Sequence, residues 1–245
     1  MLPEVTDPTK WWQGKLDYSD KEEKYNLVFN VAVKVPIAIN PQMVKPEEIR
    51  SYRDLLNPKW SEKIAMRDPT GAGPGLATAT FWYAHPRLGK EVMRDFFTKQ
   101  KVALSRDDRQ LLEWVVRGKY AIVVAPSELE AMELKSKGVQ VELVGAEQFK
   151  EGSYLTAAFG SVALVNRAPH PNAAKIYINW LLTREGQTLW SRLSSYASRR
   201  LDVPRDHVSP MTLPKDGVEY QPNYKEEYVR LREEILAFLK ELIQK

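Results

Sequence analysis

Lys63-Ile64-Ala65-Met66-Arg67-Asp68-Pro69-Thr70-Gly71-Ala72-Gly73-Pro74-Gly75, running on into Leu76 to Ala84, is the stretch whose reading decides the fold. Lys63 to Met66 is a short apolar strand. Leu76 to Ala84, small and aromatic, reads as a helix. Between them lies a loop rich in glycine and proline. A strand, a glycine-rich turn and a helix start present unpaired backbone N–H groups at the positive end of a helix. Thr70 adds a hydroxyl. Two readings fit: a site where an anion meets Thr70, Gly71, Ala72 and Gly73, or a tight connection that needs glycines for its geometry. No Gly-Lys-Thr/Ser ending follows, so the loop is not a P-loop.

The same alternation extends in both directions. Leu27 to Asn40 is a β-branched strand broken at Pro36, and Pro46 opens a short helix. Lys90 to Lys99 is a helix. Arg106 to Arg117 is another, with Leu111, Leu112, Val115 and Val116 on one side and Gly118 as its stop. Ala121 to Ala125 is a buried strand, Glu128 to Lys137 a helix ended by Gly138, and Val139 to Val144 a strand. Ser153 to Val165 is strand-like, interrupted at Gly160. Asn172 to Leu182 is predicted as a helix with Ala173, Ile176, Tyr177 and Trp180 inward, and Glu185 to Leu193 continues helically. Tyr196 to Pro214 is loop. Tyr224 to Lys245 is one amphipathic helix striped by Tyr228, Leu231, Ile235, Phe238, Leu239 and Leu242. Strands alternating with helices define an α/β class with a mostly parallel sheet.

Composition narrows the function. The 245 residues suffice for one large or two small domains. There is no cysteine, so disulfides, thiolate metal sites and cysteine nucleophiles are excluded. His85, His170 and His207 do not pair at metal-ligand spacing, and no metal site or cofactor is predicted. The net charge is +4, but bases and acids interleave, as in Lys21-Glu22-Glu23-Lys24. That is a solvated surface rather than a nucleic-acid face, though it favours small anions. No apolar run reaches the ~20 residues of a membrane span. Met1-Leu2-Pro3-Glu4 lacks the basic start and apolar middle of a signal peptide.

Three segments together resemble the two-lobed periplasmic solute-binding proteins of ABC importers, in the branch that binds ferric ion, thiamine and anions. The first is Asp54-Leu55-Leu56-Asn57-Pro58-Lys59-Trp60 with Lys63-Ile64-Ala65. The second is the loop Asp68-Pro69-Thr70-Gly71-Ala72-Gly73. The third is His170-Pro171-Asn172-Ala173-Ala174-Lys175, then Trp180-Leu181-Leu182, then Glu185-Gly186-Gln187. The resemblance implies a two-lobed periplasmic-binding-protein-like fold with a nearly complete second lobe and a partial first lobe. Roughly the first hundred residues of the family's first lobe have no counterpart, with boundaries good to a few residues. Residues 1–39 would hold part of the first lobe and the crossing, 40–153 the second lobe, and 154–245 the return and the C-terminal helices. Poor solubility, or stability only as an oligomer, is expected of such an incomplete first lobe.

The resemblance also points to polar ligand contacts at Asp108 and Arg109, which otherwise read as a charged first helical turn. Ser127 and Glu128 stand where ferric-binding relatives carry a tyrosine pair, which this chain lacks. Tyr196 and Arg200 lie in a loop that edges the family's cleft. A bidentate arginine there suits a carboxylate or phosphate, although a surface basic pair reads equally well. The partners implied are a small-molecule or metal-complex ligand and the importer's membrane subunits, with no nucleic acid and no insertion into the membrane. The location implied is extracytoplasmic. The competing classes are the effector domain of a transcription regulator and, less favoured, an enzyme on the same fold. No Ser-His-Asp or nucleophile-elbow pattern supports catalysis.

Overall fold

The computed structural model describes residues 1–243. In chain order its elements are α1 (Pro3–Thr6), β1 (Asp17–Tyr18), β2 (Asn26–Val28), β3 (Asn30–Val33), β4 (Ile37–Ile39), β5 (Ile64–Arg67), α2 (Pro74–Ala84) and α3 (Gly89–Lys99). There follow β6 (Ala103–Ser105), α4 (Asp108–Val116), β7 (Ile122–Val124), α5 (Glu128–Ser136), β8 (Glu142–Val144), β9 (Ser153–Thr156) and β10 (Ser161–Ala163). The chain continues with α6 (Pro171–Leu181), α7 (Arg184–Ser194), β11 (Ala197–Ser198), β12 (Tyr220–Pro222), α8 (Glu226–Arg230) and α9 (Arg232–Ile243). The short helix predicted from Pro46 is a 3-10 turn, Pro46–Glu48.

The fold class is α/β, and the chain divides into two compact units. The first comprises 1–33, 155–214 and 224–227; the second comprises 34–154, 215–223 and residues from 228 onward. The second unit thus starts at Lys34 rather than near residue 40. It also gathers the last helix, which the sequence had grouped with the return to the first lobe. The cause is the apolar stripe of α9: Ile235, Phe238 and Leu239 are buried in the second unit's core with Phe81, Trp82 and Phe96. The single helix expected over Tyr224 to Lys245 is two, parted at Leu231, and Gln244 and Lys245 lie outside the described residues.

The second unit is built on a five-stranded sheet in the order β6-β5-β7-β4-β8. β5 runs parallel to β6 and β7, with Met66 opposite Leu104 and Val124. β4 is antiparallel to β7 and β8. Ile64, Ala65, Met66, Ile122, Val123 and Val124 are fully buried, as continuous apolar runs in parallel strands should be. α2 packs Leu76, Phe81 and Trp82 into this core, and each such side chain contributes roughly 1.5–3 kcal/mol on burial.

The first unit contains a three-stranded sheet, β1-β2-β10. Its β3 pairs antiparallel with β9 through Ala32–Thr156 and Val33–Leu155, and with β11 through Val31–Ala197. Its apolar cluster joins Trp11, Leu27, Phe29, Leu181 and Leu182, with Ile178 and Val162 packed against them. Here α6 corrects the sequence reading. The face carrying Ile176, Tyr177 and Trp180 is exposed, at 72%, 53% and 40% respectively. The helix is apolar on two sides, so spacing alone does not tell which side the core takes.

Candidate functional site

The parallel register places the carboxyl ends of β5, β6 and β7 at one edge of the second unit's sheet. Ligand-binding loops of open α/β sheets collect at that edge. Asp68 to Gly73 follow β5, Arg106 and Asp107 follow β6, and Ala125 to Ser127 follow β7. Each loop leads directly into a helix, so α2, α4 and α5 all begin at this edge. Their ends differ. Asp107 caps α4 by accepting from the Gln110 N–H at 3.0 Å, and Ser127 caps α5 by accepting from Glu130 at 3.5 Å. No side chain caps α2. The N–H groups of Gly71, Ala72 and Gly73 also find no acceptor among the described residues. This is the open helix end of the edge, with a partial positive charge unmet by protein.

The loop holds itself in shape. Asp68 Oδ1 accepts from the Thr70 N–H at 2.8 Å and from the Thr70 hydroxyl at 2.6 Å. Thr70 is therefore engaged internally, and its hydroxyl is not the free donor that the sequence suggested. Asp68 Oδ2 accepts from Arg106 Nε at 2.8 Å, while Arg106 reaches the Thr70 hydroxyl oxygen at 3.3 Å. Burial pushes the Asp68 carboxyl up, but these hydrogen bonds outweigh it and hold the group below its ordinary value. The glycines play different parts. A Cβ on Gly71 would meet nothing closer than the Arg106 guanidinium, at 3.6 Å. Gly73 has φ +139°, which disfavours any side chain. Gly75 is packed hardest: a Cβ there would lie 2.2 Å from the Arg67 carbonyl oxygen and 2.6 Å from that of Asp68.

Arg106 is the residue that sequence reasoning missed as a candidate. It was read as the start of a helix, but the unrecognised strand β6 ends at Ser105 and sets Arg106 across the loop. Its side chain is 72% exposed, so a guanidinium stands beside Gly71 with donors to spare.

Asp108 is brought to the same edge, 3.2 Å from Arg67 Nη1. The pair is close but poorly aligned: Asp108 Oδ1 is buried and makes no hydrogen bond among the described residues. Burial pushes the Asp108 carboxyl up, and Arg67 offsets this only in part. Arg109 is exposed and no contact ties it to the loop; its charge acts on Glu130 and Glu133. Ser127 serves as a cap. Glu128 is buried in an ion pair with Lys34 at 2.6 Å, and Lys34 also donates to the Pro126 carbonyl. Of the residues expected at the site, Gly71, Ala72 and Gly73 share the edge with unpaired N–H groups, Thr70 is tied to Asp68, Asp108 lies at the edge with a buried Oδ1, and Ser127 and Glu128 are held in a cap and an ion pair.

Tyr196 and Arg200 belong to the first unit. Arg200 grips Asp202 with a fork, at 2.9 and 2.7 Å, and donates to the Leu182 carbonyl at 2.9 Å. The guanidinium expected to take a ligand is thus occupied by the fold. The Tyr196 carbonyl accepts from Ser191 at 2.6 Å. The same Ser191 oxygen lies 2.9 Å from His207 Nε2, and Asp206 is 3.5 Å from the other ring nitrogen. This is not a nucleophile: Ser191 is fully buried and its proton is given to Tyr196. Tyr154 is also buried, in the second unit, with its hydroxyl 3.0 Å from that of Thr78. Burial raises its phenol well above the ordinary value, which opposes formation of a metal-binding phenolate. No cluster of His, Asp and Glu able to hold a metal ion occurs among the described residues.

A sheet edge whose loops include one uncapped helix start is the arrangement at which open α/β folds collect ligands. Residues 16–192 match the bacterial extracellular solute-binding protein family, and the chain belongs to it. A Salmonella typhi protein named as a 2-aminoethylphosphonate-binding periplasmic protein is 28% identical over 192 residues, which are 76% of this chain and 56% of that protein. The chain thus matches little more than half the length of that relative. Among solved structures, apo FutA2 from Synechocystis PCC6803 is similar with TM-score 0.73 and 13% identity, over 100% of this chain and 77% of that one. AfuA from Actinobacillus pleuropneumoniae, with fructose-6-phosphate bound, gives 0.72 and 17%, over 99% and 75%. Iron-bound HitA from Pseudomonas aeruginosa gives 0.67 and 18%, over 96% and 75%. These likenesses establish a periplasmic-binding-protein fold.

Proposed function

We propose that this chain is the solute-capturing component of an ABC importer, working outside the cytoplasm, and that it binds an oxyanion at the 68–73 loop. The observation that carries the reading is the uncapped start of α2, beside two helices at the same edge that are capped by Asp107 and Ser127. An oxyanion would receive the N–H groups of Gly71, Ala72 and Gly73, the positive helix end and the Arg106 guanidinium. The family and the ligands named for similar proteins, a phosphonate, a sugar phosphate and iron, support an anion or a metal–anion complex. The protein binds and releases its ligand unchanged, and hydrolysis of phosphate esters should be absent.

Calorimetry of the full chain against inorganic phosphate, sulfate, 2-aminoethylphosphonate, fructose-6-phosphate and ferric citrate tests the reading. At least one should bind with one site per chain, and its affinity should fall when Gly71 becomes Val, because a branched side chain would crowd the approach to the loop's N–H groups beside Arg106. Binding that is indifferent to Gly71→Val and Arg106→Ala would place the site elsewhere. Turnover of a phosphate ester would reject the transport role.

A further inference from the structure

The second unit holds a cavity that oxyanion binding leaves unused. α2 starts at the 68–73 loop and runs for 11 residues, so its far end lies roughly 16 Å along the helix from that loop. There, between His85 after α2, Glu151 before β9 and Tyr220 of β12, opens a pocket of about 260 Å³. Its whole lining belongs to the second unit and mixes two acids with two bases. Glu151 is 5% exposed. Its carboxylate receives the Ser51 hydroxyl at 2.6 Å and the Tyr52 N–H at 3.3 Å, and no cation pairs with it among the described residues. A buried carboxylate is ordinarily matched by a cation. The exposed Glu219 adds a second acid. His85 is 9% exposed. Its Nδ1 accepts from the Arg87 N–H at 3.2 Å, which leaves the ring proton on Nε2, and Nε2 has no partner among the described residues. Burial and the Arg87 charge push the ring below its ordinary value, against the pull of Glu151 and Glu219, so at neutral pH it offers one N–H. Arg87 is exposed and gives Nη2 to the Lys150 carbonyl at 2.5 Å. Its other guanidinium donors have no acceptor among the described residues. The half-buried rings of Tyr220 and Tyr228 complete the walls.

We infer that this pocket binds a free amino acid with an apolar side chain, its ammonium on Glu151 and Glu219 and its carboxylate on His85 Nε2 and Arg87. Each polar group of the lining then finds its complement. A plain anion would leave the Glu151 carboxylate buried without a cation and would meet Glu219 as well. A plain amine would leave the His85 N–H unused and set a second positive charge beside Arg87. The closing end of α2 carries a partial negative charge, which suits the ammonium. The tyrosine rings supply apolar walls for the side chain and faces that attract a cation. The volume falls just below the range of pockets for drug-sized ligands, about 300–1,000 Å³, as fits so small a solute. The inference does not rest on the oxyanion reading, because no residue of the 68–73 loop lines this pocket.

The test is calorimetry of the full chain with phenylalanine, leucine and methionine, each at millimolar concentrations. At least one should bind with one site per chain. Phenethylamine and hydrocinnamate, which each keep one of the two charges of phenylalanine, should bind more weakly than the amino acid. Glu151→Gln keeps an oxygen for Ser51 and Tyr52 but loses the charge, and it should weaken the amino acid about tenfold or more, as loss of one charge-assisted contact does. Glu219→Gln serves in its place should that variant not fold. Arg87→Gln should weaken the amino acid similarly and leave phenethylamine unchanged. Glu47→Gln removes the same charge from an exposed position outside the pocket and should change nothing. Binding of none of the three amino acids, or affinity indifferent to the Glu151, Glu219 and Arg87 variants, would overturn the inference. So would phenethylamine or hydrocinnamate binding as tightly as phenylalanine. Amino-acid binding that Arg106→Ala abolishes would also overturn it, by moving the site to the loop; persistence in that variant, and in saturating phosphate, keeps the outcome separate from that of oxyanion binding.

Discussion

At the scale of single residues, the loop after β5 separates glycine as a packing necessity from glycine as an opening. Gly75 is the former. Gly75→Ala forces a methyl against the carbonyl oxygens of Arg67 and Asp68, and thermal unfolding should show a loss of about 1–3 kcal/mol. Gly71 is the latter, since the nearest atoms to a Cβ there belong to an exposed guanidinium at 3.6 Å. Arg106→Ala should therefore leave the melting temperature nearly unchanged while weakening the bound oxyanion about tenfold, as expected for one charge-assisted contact of ~1.4 kcal/mol. Calorimetry and a thermal melt on the same sample separate the two effects. Tyr154 leads to a third expectation. Its phenol is buried and raised, so ferric citrate should produce no visible phenolate-to-iron band, and a strong band at one iron per chain would contradict this. The loop itself was legible from its residues. What it lacked was Arg106, because β6 spans only Ala103–Ser105, too short for alternation to reveal it, and its end decides where Arg106 points. Thr70 shows the reverse error: its hydroxyl is a donor on paper, but the carboxylate two residues earlier claims it.

At the scale of elements, the entry into the second unit is pinned by charge. Lys34, just after β3, is 5% exposed and bonds both Glu128 at the start of α5 and the carbonyl of Pro126. Its own N–H donates to the Tyr154 carbonyl at 3.0 Å, and its carbonyl accepts from Ser153 at 2.7 Å. Lys34→Ala would strand a buried carboxylate, which costs about 3–5 kcal/mol in comparable cases. The double variant Lys34→Met with Glu128→Leu should recover most of that loss, and urea unfolding of both measures the difference. Neither partner was legible as part of a pair, for they stand far apart in sequence and each resembles a surface charge. The long helices, by contrast, were found within a residue or two because glycine, proline and capping residues mark their ends. α6 was located correctly and turned the wrong way, since two apolar faces compete and tertiary packing alone chooses between them.

At the scale of the whole molecule, each unit keeps its own electrostatic anchor. In the first, Asp17 is buried against Arg199 at 2.9 Å and Lys225 at 2.8 Å. Burial alone would raise its carboxyl, but those cations and Tyr224 hold it below the usual 3.8. Such a group stabilises the folded state above its unfolded value and ceases to do so as pH falls through the lower folded one. Stability of the first unit should therefore be flat above about pH 4 and drop below it, and Asp17→Asn should flatten that acid limb in a pH series of thermal melts. The resemblance grouped the last helix with 154–245, whereas its contacts lie in the second unit, because an amphipathic stripe does not say which body it will cover. That allegiance bears on biogenesis. Ile235, Phe238 and Leu239 close a core that includes Phe81, Trp82 and Phe96, made more than a hundred residues earlier. A chain emerging from the ribosome or threading a translocon must hold that core open until its final helix arrives. During that interval the nascent second unit presents sticky apolar surface, and a chaperone that shields it would find its natural substrate there.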